Sequence, residues 1–182
     1  MTIGEGAGVF VIEAEDALRA RGGKALAWLS GYGTSSDARD MIKPDVDGAA
    51  RALALALADA RLSPTDIGYI NAHGTGTVLN DINEAVALRQ VFGDPIDDIP
   101  VSSSKPVIGH TLGAAGALEL AITICALRDQ TVPPQMNWRA HDPKCALHLP
   151  VDGALTPKFD AALSNSFAFG GINAVLVVAR AD

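Results

Sequence analysis

Short apolar runs alternate with helical stripes along most of this chain, and two further apolar runs close it. That order restricts the fold to an α/β layered architecture with a mixed sheet and helices on both faces. Val9-Phe10-Val11-Ile12 reads as a buried strand. A charged helical stretch over 14–21 follows and stops at Gly22-Gly23. Residues 25–33 form a second strand, ending in the loop Thr34-Ser35-Ser36-Asp37. Over 48–61 the pairs Ala49/Ala50, Leu53/Ala54 and Leu57/Ala58 return every four residues, which predicts an amphipathic helix. Ser63-Pro64-Thr65-Asp66 predicts a capped turn, with proline where its missing N–H costs nothing.

The pattern then repeats. Residues 67–72 predict a strand that runs into His73-Gly74-Thr75-Gly76-Thr77. Asp81 and Glu84 have capping-box spacing and predict a helix ending near Gly93. Val101-Ser102-Ser103 is a short strand leading to Lys105-Pro106 and His110. Residues 113–127 read as a helix apolar nearly all round, interrupted mainly by Glu119, so burial on every side is expected. It falls short of the roughly 20 residues of a membrane span. After an irregular, Pro-rich stretch over 133–157, residues 161–164 and 174–179 predict two strands flanking Phe167-Ala168-Phe169-Gly170-Gly171. Neither an internal repeat nor a domain boundary interrupts residues 1–182, so one domain is expected.

Composition narrows the function classes. Apolar residues make up 48% and charged ones 19% of the chain, which suits a globular protein rather than a disordered one. The net charge of -7 and the lack of a Lys/Arg run argue against a duplex nucleic-acid binder, which needs a basic face. Cys125 and Cys145 form neither a CxxC pair nor a disulfide-scaffold pattern, which favours a reducing compartment. Met1-Thr2-Ile3-Gly4-Glu5-Gly6 has neither the basic nor the apolar region of a signal peptide. A soluble cytoplasmic protein, without nucleic-acid or membrane partners, is the expectation.

Three predicted strands end in glycine-rich loops with polar groups: residues 71–77, residues 102–110 and residues 165–171. Open α/β sheets collect ligands where strand ends deliver loops to one edge. If all three loops meet there, His73, His110, Lys105 and a row of backbone N–H groups converge. His110 lies just ahead of the apolar helix, whose N-terminal partial positive charge disfavours protonation of an imidazole. A neutral imidazole there can donate to a developing oxyanion or enolate. His73 stands between a strand and a glycine turn, where a ring can project into a cleft. Lys105 depresses the pKa of a nearby histidine or holds a carboxylate. Gly170 and Gly171 let backbone N–H groups turn toward a reacting oxygen.

Plainer readings apply elsewhere. His141 and His148 read as surface or satisfied core residues, and Lys105 taken alone reads as a solvated lysine. Cys125 reads as a hydrophobe in a helix core, and Cys145 as structural. Gly4-Glu5-Gly6-Ala7-Gly8 precedes a strand instead of linking strand to helix, so a phosphate-loop reading fails on context. His73 and His110 lack the closely spaced third ligand of a zinc site, so no metal is expected.

Taken together, Gly4-Glu5-Gly6-Ala7-Gly8, NAHGTGT (71–77), SSSKPVIGHTLGAAGALE (102–119), ALRDQTVPP (126–134) and NSFAFGGINA (165–174) resemble the C-terminal half of a β-ketoacyl-acyl carrier protein synthase. These are the elongating condensing enzymes of fatty-acid and polyketide synthesis. The resemblance covers nearly the whole chain, with five motifs in the family's order. It implies a thiolase-like fold of two similar α/β halves in five layers. It also implies an acyltransferase in which a cysteine of the N-terminal half takes the acyl chain as a thioester. Malonyl-carrier protein then loses carbon dioxide, and the enolate attacks that thioester. By the same resemblance, His73 and His110 stabilise the enolate oxygen and Lys105 orients the pair. Glu119 supports that network, and Thr75 and Thr77 bond the pantetheine arm. The loop 168–171, with Phe169 and Gly170, is the gate, Phe169 swinging at the active site and its backbone N–H contributing to the oxyanion hole. No cofactor is implied beyond the phosphopantetheine arm of acyl carrier protein, the carrier of the substrate.

Departures from the family pattern are also visible. The Ala-Cys nucleophile elbow does not occur in residues 1–182, so the chain holds the decarboxylating part of the site and not the acyl-accepting part. Ala168 replaces a usual gate glycine, Ile108 a frequent threonine, and Ile172-Asn173-Ala174 a Thr-Asn-Gly ending. Two functions follow: a synthase portion completed by an N-terminal half, or a non-catalytic, chain-length-factor-like subunit packed on an active synthase. A thiolase-like enzyme acting on coenzyme A thioesters fits less well, because such enzymes use a second cysteine where this chain has its histidine pair. A half fold leaves an apolar face uncovered, so oligomers or an accompanying chain are expected. The acidic balance means that basic residues for an acidic carrier protein come mainly from elsewhere.

Overall fold

A computed structural model describes residues 1–181 of the 182. Five strands form one sheet: β1 (Ala27–Ser36), β2 (Tyr69–Asn71), β3 (Val101–Ser102), β4 (Ala161–Ala168) and β5 (Ile172–Arg180). Their order across the sheet is β1-β5-β4-β2-β3. The strands β2, β3 and β4 run parallel, and β5 runs antiparallel to both of its neighbours. The sheet is therefore mixed, as the order of elements predicts.

The helices are α1 (Glu15–Ala20), α2 (Val46–Ala60), α3 (Val78–Phe92), α4 (Lys105–Ile108) and α5 (Ala115–Asp129). Alternation along the strands sorts side chains to two cores. Ile70, Leu163 and Val177 face α2 and α3, where they meet Leu53, Leu57, Ala87 and Leu88. Their neighbours Tyr69, Ala162 and Val178 face the other way, onto Ala126, Leu127 and Phe159. Helices thus cover both faces. The alanine stripe of α2 lies directly on β1: a Cβ on Gly31 would stand 2.7 Å from the Ala60 nitrogen, and one on Gly33 would meet the Ala52 carbonyl. Small residues on both elements let helix and strand backbones approach this closely.

Four expectations need correction. Residues 9–12 do not form a strand of this sheet; their backbone has no ladder partner among the described residues, and Val9 and Val11 are 94% and 95% exposed. The apolar pattern is that of a strand, but the sheet it would join is not formed by these residues. The α5 helix is buried along one stripe only, Ala115, Glu119, Thr123, Ala126 and Leu127. Its other side is half-buried and Cys125 is exposed, because the sheet lies on one flank alone. The third helix starts earlier than the Asp81/Glu84 spacing suggests, with Thr77 as its N-cap residue. Strands β4 and β5 are longer than predicted and run up to the Phe169–Gly171 turn that joins them.

Candidate active site

Three parallel strands end at the same edge of the sheet, and each hands its chain to a polar loop. His73 follows β2, Lys105 follows β3, and Phe169 follows β4. His73 and Lys105 are buried, with relative exposures of 6% each. The Lys105 ammonium donates to Glu119 Oε1 in a short buried ion pair, and its Nζ lies 3.4 Å from His73 Nδ1. The His73 and His110 rings stand edge to face, with centroids 5.5 Å apart and planes at 85°. Phe167 also stands edge to face with His73, with ring centroids 6.0 Å apart. Residues spread in the chain from His73 to Phe167 therefore meet at one site.

Charge and burial fix the protonation of both rings. Burial first, then the Lys105 charge and the neighbouring His110, push the His73 pKa down to about 3. His110 is also held below the ordinary histidine value, by burial and then by Lys105. The helix terminus invoked from sequence is not the leading cause, since α5 begins only at Ala115 after a separate turn over Leu112–Ala114. A lysine ammonium has only hydrogens to offer, so His73 Nδ1 accepts and its proton resides on Nε2. His110 Nδ1 accepts from the Leu112 N–H at 3.3 Å, which assigns the same tautomer. Two neutral imidazoles, each with a protonated Nε2 unengaged among the described residues, can only donate. Such a pair stabilises a developing oxyanion and is a poor base.

Below the rings lies a second carboxylate that sequence reasoning took for half of a capping box. Glu84 is 3% exposed. One of its oxygens accepts the His73 N–H at 2.9 Å and the other the Gly74 N–H at 2.9 Å. Asn165 Nδ2, on β4, donates to the first of these oxygens at 3.1 Å. Asp81 likewise accepts from the Gly76 N–H at 3.2 Å. The spacing was a genuine signal of backbone capping, but the groups capped belong to the 73–77 loop. Burial raises the pKa of Glu84 and of Glu119 above the ordinary carboxylate value. Asn71, which the sequence gives no role of its own, donates to the Glu119 carbonyl at 3.1 Å and so ties β2 to α5.

The remaining predicted residues lie on the 73–77 loop and on the β4–β5 turn. The Thr75 and Thr77 hydroxyls bond one another at 2.8 Å. Thr75 and Lys105 line a cleft of about 510 Å³ whose far wall includes Met136 and Trp138. Phe169 is 73% exposed at the tip of the β4–β5 turn. The Gly170 N–H, expected to turn toward a reacting oxygen, is engaged here: it donates to the Met41 carbonyl at 2.8 Å. The turn is clasped from outside. Asp37 donates its N–H to the Gly171 carbonyl at 2.8 Å, and its carboxylate accepts from Asn173 Nδ2 at 2.7 Å. Ala168 has φ -106 and ψ 161, an unstrained extended conformation for alanine. His141 and His148 are exposed and take no part; Cys145 is half-buried at the edge of the cleft. Among the described residues no cluster of three or more metal-ligating side chains occurs, and no helix is long and apolar enough to cross a membrane.

Known proteins are similar to this chain in sequence and fold. The family "Beta-ketoacyl synthase, C-terminal domain" matches residues 26–139. Nodulation protein E of Rhizobium leguminosarum bv. trifolii is 43% identical over 176 residues, covering 97% of this chain and 44% of the relative. The 3-oxoacyl-[acyl-carrier-protein] synthase 2 of Staphylococcus aureus (strain COL) is 40% identical over 177 residues, 96% of this chain and 43% of the relative. A solved structure, "The ishigamide ketosynthase/chain length factor", superposes with a TM-score of 0.93 at 39% identity, over 98% of this chain and 44% of that one. The chain therefore spans less than half the length of the relatives it matches. The 182-residue chain belongs to the β-ketoacyl synthase family and corresponds to the C-terminal domain of its members.

Proposed function

We propose that residues 1–182 form the C-terminal thiolase-like domain of a β-ketoacyl-acyl carrier protein synthase, supplying His73, His110 and Lys105 to a decarboxylative Claisen condensation. The observation that carries this reading is the Lys105 ammonium held between Glu119 and His73 Nδ1, with His110 edge-on beside it. When malonyl thioester loses carbon dioxide, the breaking C–C bond leaves its electron pair as an enolate, with charge on the thioester oxygen. Two Nε2–H donors in a water-poor pocket stabilise that oxygen, and no proton need be transferred. The enolate carbon then attacks an acyl thioester on a cysteine outside these residues, whose thiolate departs. Thr75, which lines the cleft, and Thr77, bonded to it, suit a pantetheine arm delivered by acyl carrier protein. Phe169, exposed on a glycine turn, suits a gate.

The complementary N-terminal half, or a homologous subunit, covers the exposed strand-like residues 9–12 and the free side of α5. A cytoplasmic, oligomeric enzyme of fatty-acid or polyketide synthesis is the resulting reading. The absence of a nucleophile elbow from residues 1–182 favours a second reading, a chain-length-factor-like partner of an active synthase. The buried lysine and paired histidines weigh against it, because a purely structural subunit gains nothing from desolvating them.

Release of labelled carbon dioxide from malonyl-acyl carrier protein tests the proposal. Combining the chain with a complementary synthase half is expected to produce release that neither part gives alone. Release that does not depend on this chain would overturn it.

A further inference from the structure

His110 stands on an irregular backbone. Gly109 before it has φ 75 and Leu112 after it has φ 52, both in the left-handed region. Its ring is only partly buried, and its single described side-chain bond is the 3.3 Å contact from the Leu112 N–H. Loops of this kind drift unless something outside them holds the backbone. His73 has Glu84 for that purpose; His110 has no buried side chain playing the equivalent part among the described residues.

What does hold it is the start of the chain. The His110 N–H donates to the Thr2 carbonyl at 2.8 Å, and the Gly4 N–H donates to the His110 carbonyl at 3.1 Å. Ile3 and His110 form an isolated parallel β-bridge. The contact demands glycine on both sides: a Cβ on Gly109 would stand 2.8 Å from the Gly4 Cα, and a Cβ on Gly4 would run into the Ile108 carbonyl. Further along, Gly6 and Gly8 lie against Leu118 and Ala117 of α5, which carries the segment along the helix. Both main-chain bonds of His110 are thereby spent on a segment distant in sequence.

We propose that the backbone of Thr2, Ile3 and Gly4 is a positioning splint for His110, fixing the second imidazole relative to His73 as Glu84 fixes the first. The inference rests on the proposed function only in taking His110 as a reacting group; the splint itself is a statement about geometry. Its consequence is that the two histidines have separate supports. Loosening residues 2–4 displaces one ring and leaves the other in place.

The test compares Gly4→Ala with Gly113→Ala in the 182-residue chain, using histidine ring NMR signals over a pH series. The added carbon is identical in the two variants, but at Gly113 it meets nothing within 4 Å. The groups facing His110 are the Lys105 ammonium and the His73 ring. In Gly4→Ala the ring loses burial, so the His110 titration is expected to move up toward the ordinary value by about half a pH unit or more, with His73, held mainly by burial and Lys105, moving less. Gly113→Ala is expected to match the unmodified chain. The splint is overturned if Gly4→Ala leaves His110 as Gly113→Ala does, or shifts His73 as far as His110. Should Gly4→Ala fail to fold, amide exchange in the unmodified chain decides. The Gly4 and His110 amides are expected to exchange at least about tenfold more slowly than open chain, and exchange at open-chain rates overturns the inference.

Discussion

Alanine at position 73 or 110 of the assembled enzyme is expected to slow malonyl decarboxylation by about 10²–10³-fold, the usual cost of one preorganised oxyanion donor. The loss belongs in kcat, with KM little changed, because neutral N–H donors gain strength only as charge develops on the enolate oxygen. Replacing both histidines is expected to cost little more than replacing one, since the rings act on a single oxygen as a unit. Decarboxylation of malonyl-acyl carrier protein, followed by labelled carbon dioxide, separates this from the chain-length-factor reading. Unchanged turnover with both rings removed would assign the chemistry to another subunit and leave this chain a structural part.

The second large effect concerns stability. Lys105→Met in the 182-residue chain removes the one cation paired with Glu119 among the described residues, where the Glu119 side chain is 1% exposed. Breaking one side of a buried ion pair costs about 3–5 kcal/mol, because the charge left behind is neither hydrated nor matched. Lys105→Met combined with Glu119→Leu is expected to recover most of that loss, since two apolar side chains then fill the site with no charge to desolvate. Urea unfolding midpoints measure both. A loss below about 1 kcal/mol for the single variant would show that water reaches Glu119 and that the pair is not enclosed.

Much of this arrangement is legible in the residues, and the illegible parts share a cause. The alanine and leucine stripe of α2, the apolar runs of β2, β4 and β5, and the glycine loops after β2 and β4 all announce local conformation. Parallel strands oblige those loops to emerge at one edge. Periodicity, however, reports that a face is apolar and not where its cover comes from. Residues 9–12 and the free side of α5 read as buried for that reason, and Cys125 with them, while the structure leaves them open. Asp81 and Glu84 illustrate a second limit. Spacing marks a carboxylate that reaches back to backbone N–H groups, but only the path of the 73–77 loop decides which ones. The Gly170 amide belongs to the same class, because its acceptor, Met41, lies in a loop that carries no pattern of its own.

His73 acts as a neutral donor, held so by burial and by Lys105, and nitrogen-resolved NMR of the histidine rings tests this. The folded-state pKa of about 3 lies below the ordinary 6.5, so the folded chain refuses a proton that the unfolded chain accepts. Stability from this group is complete above 6.5 and is lost as the pH falls toward the folded value. At pH 5 the expected spectrum shows His73 neutral, with hydrogen on Nε2 and a bare, hydrogen-bonded Nδ1. A His73 titration midpoint near 6.5, or a proton found on Nδ1, would contradict the site as described.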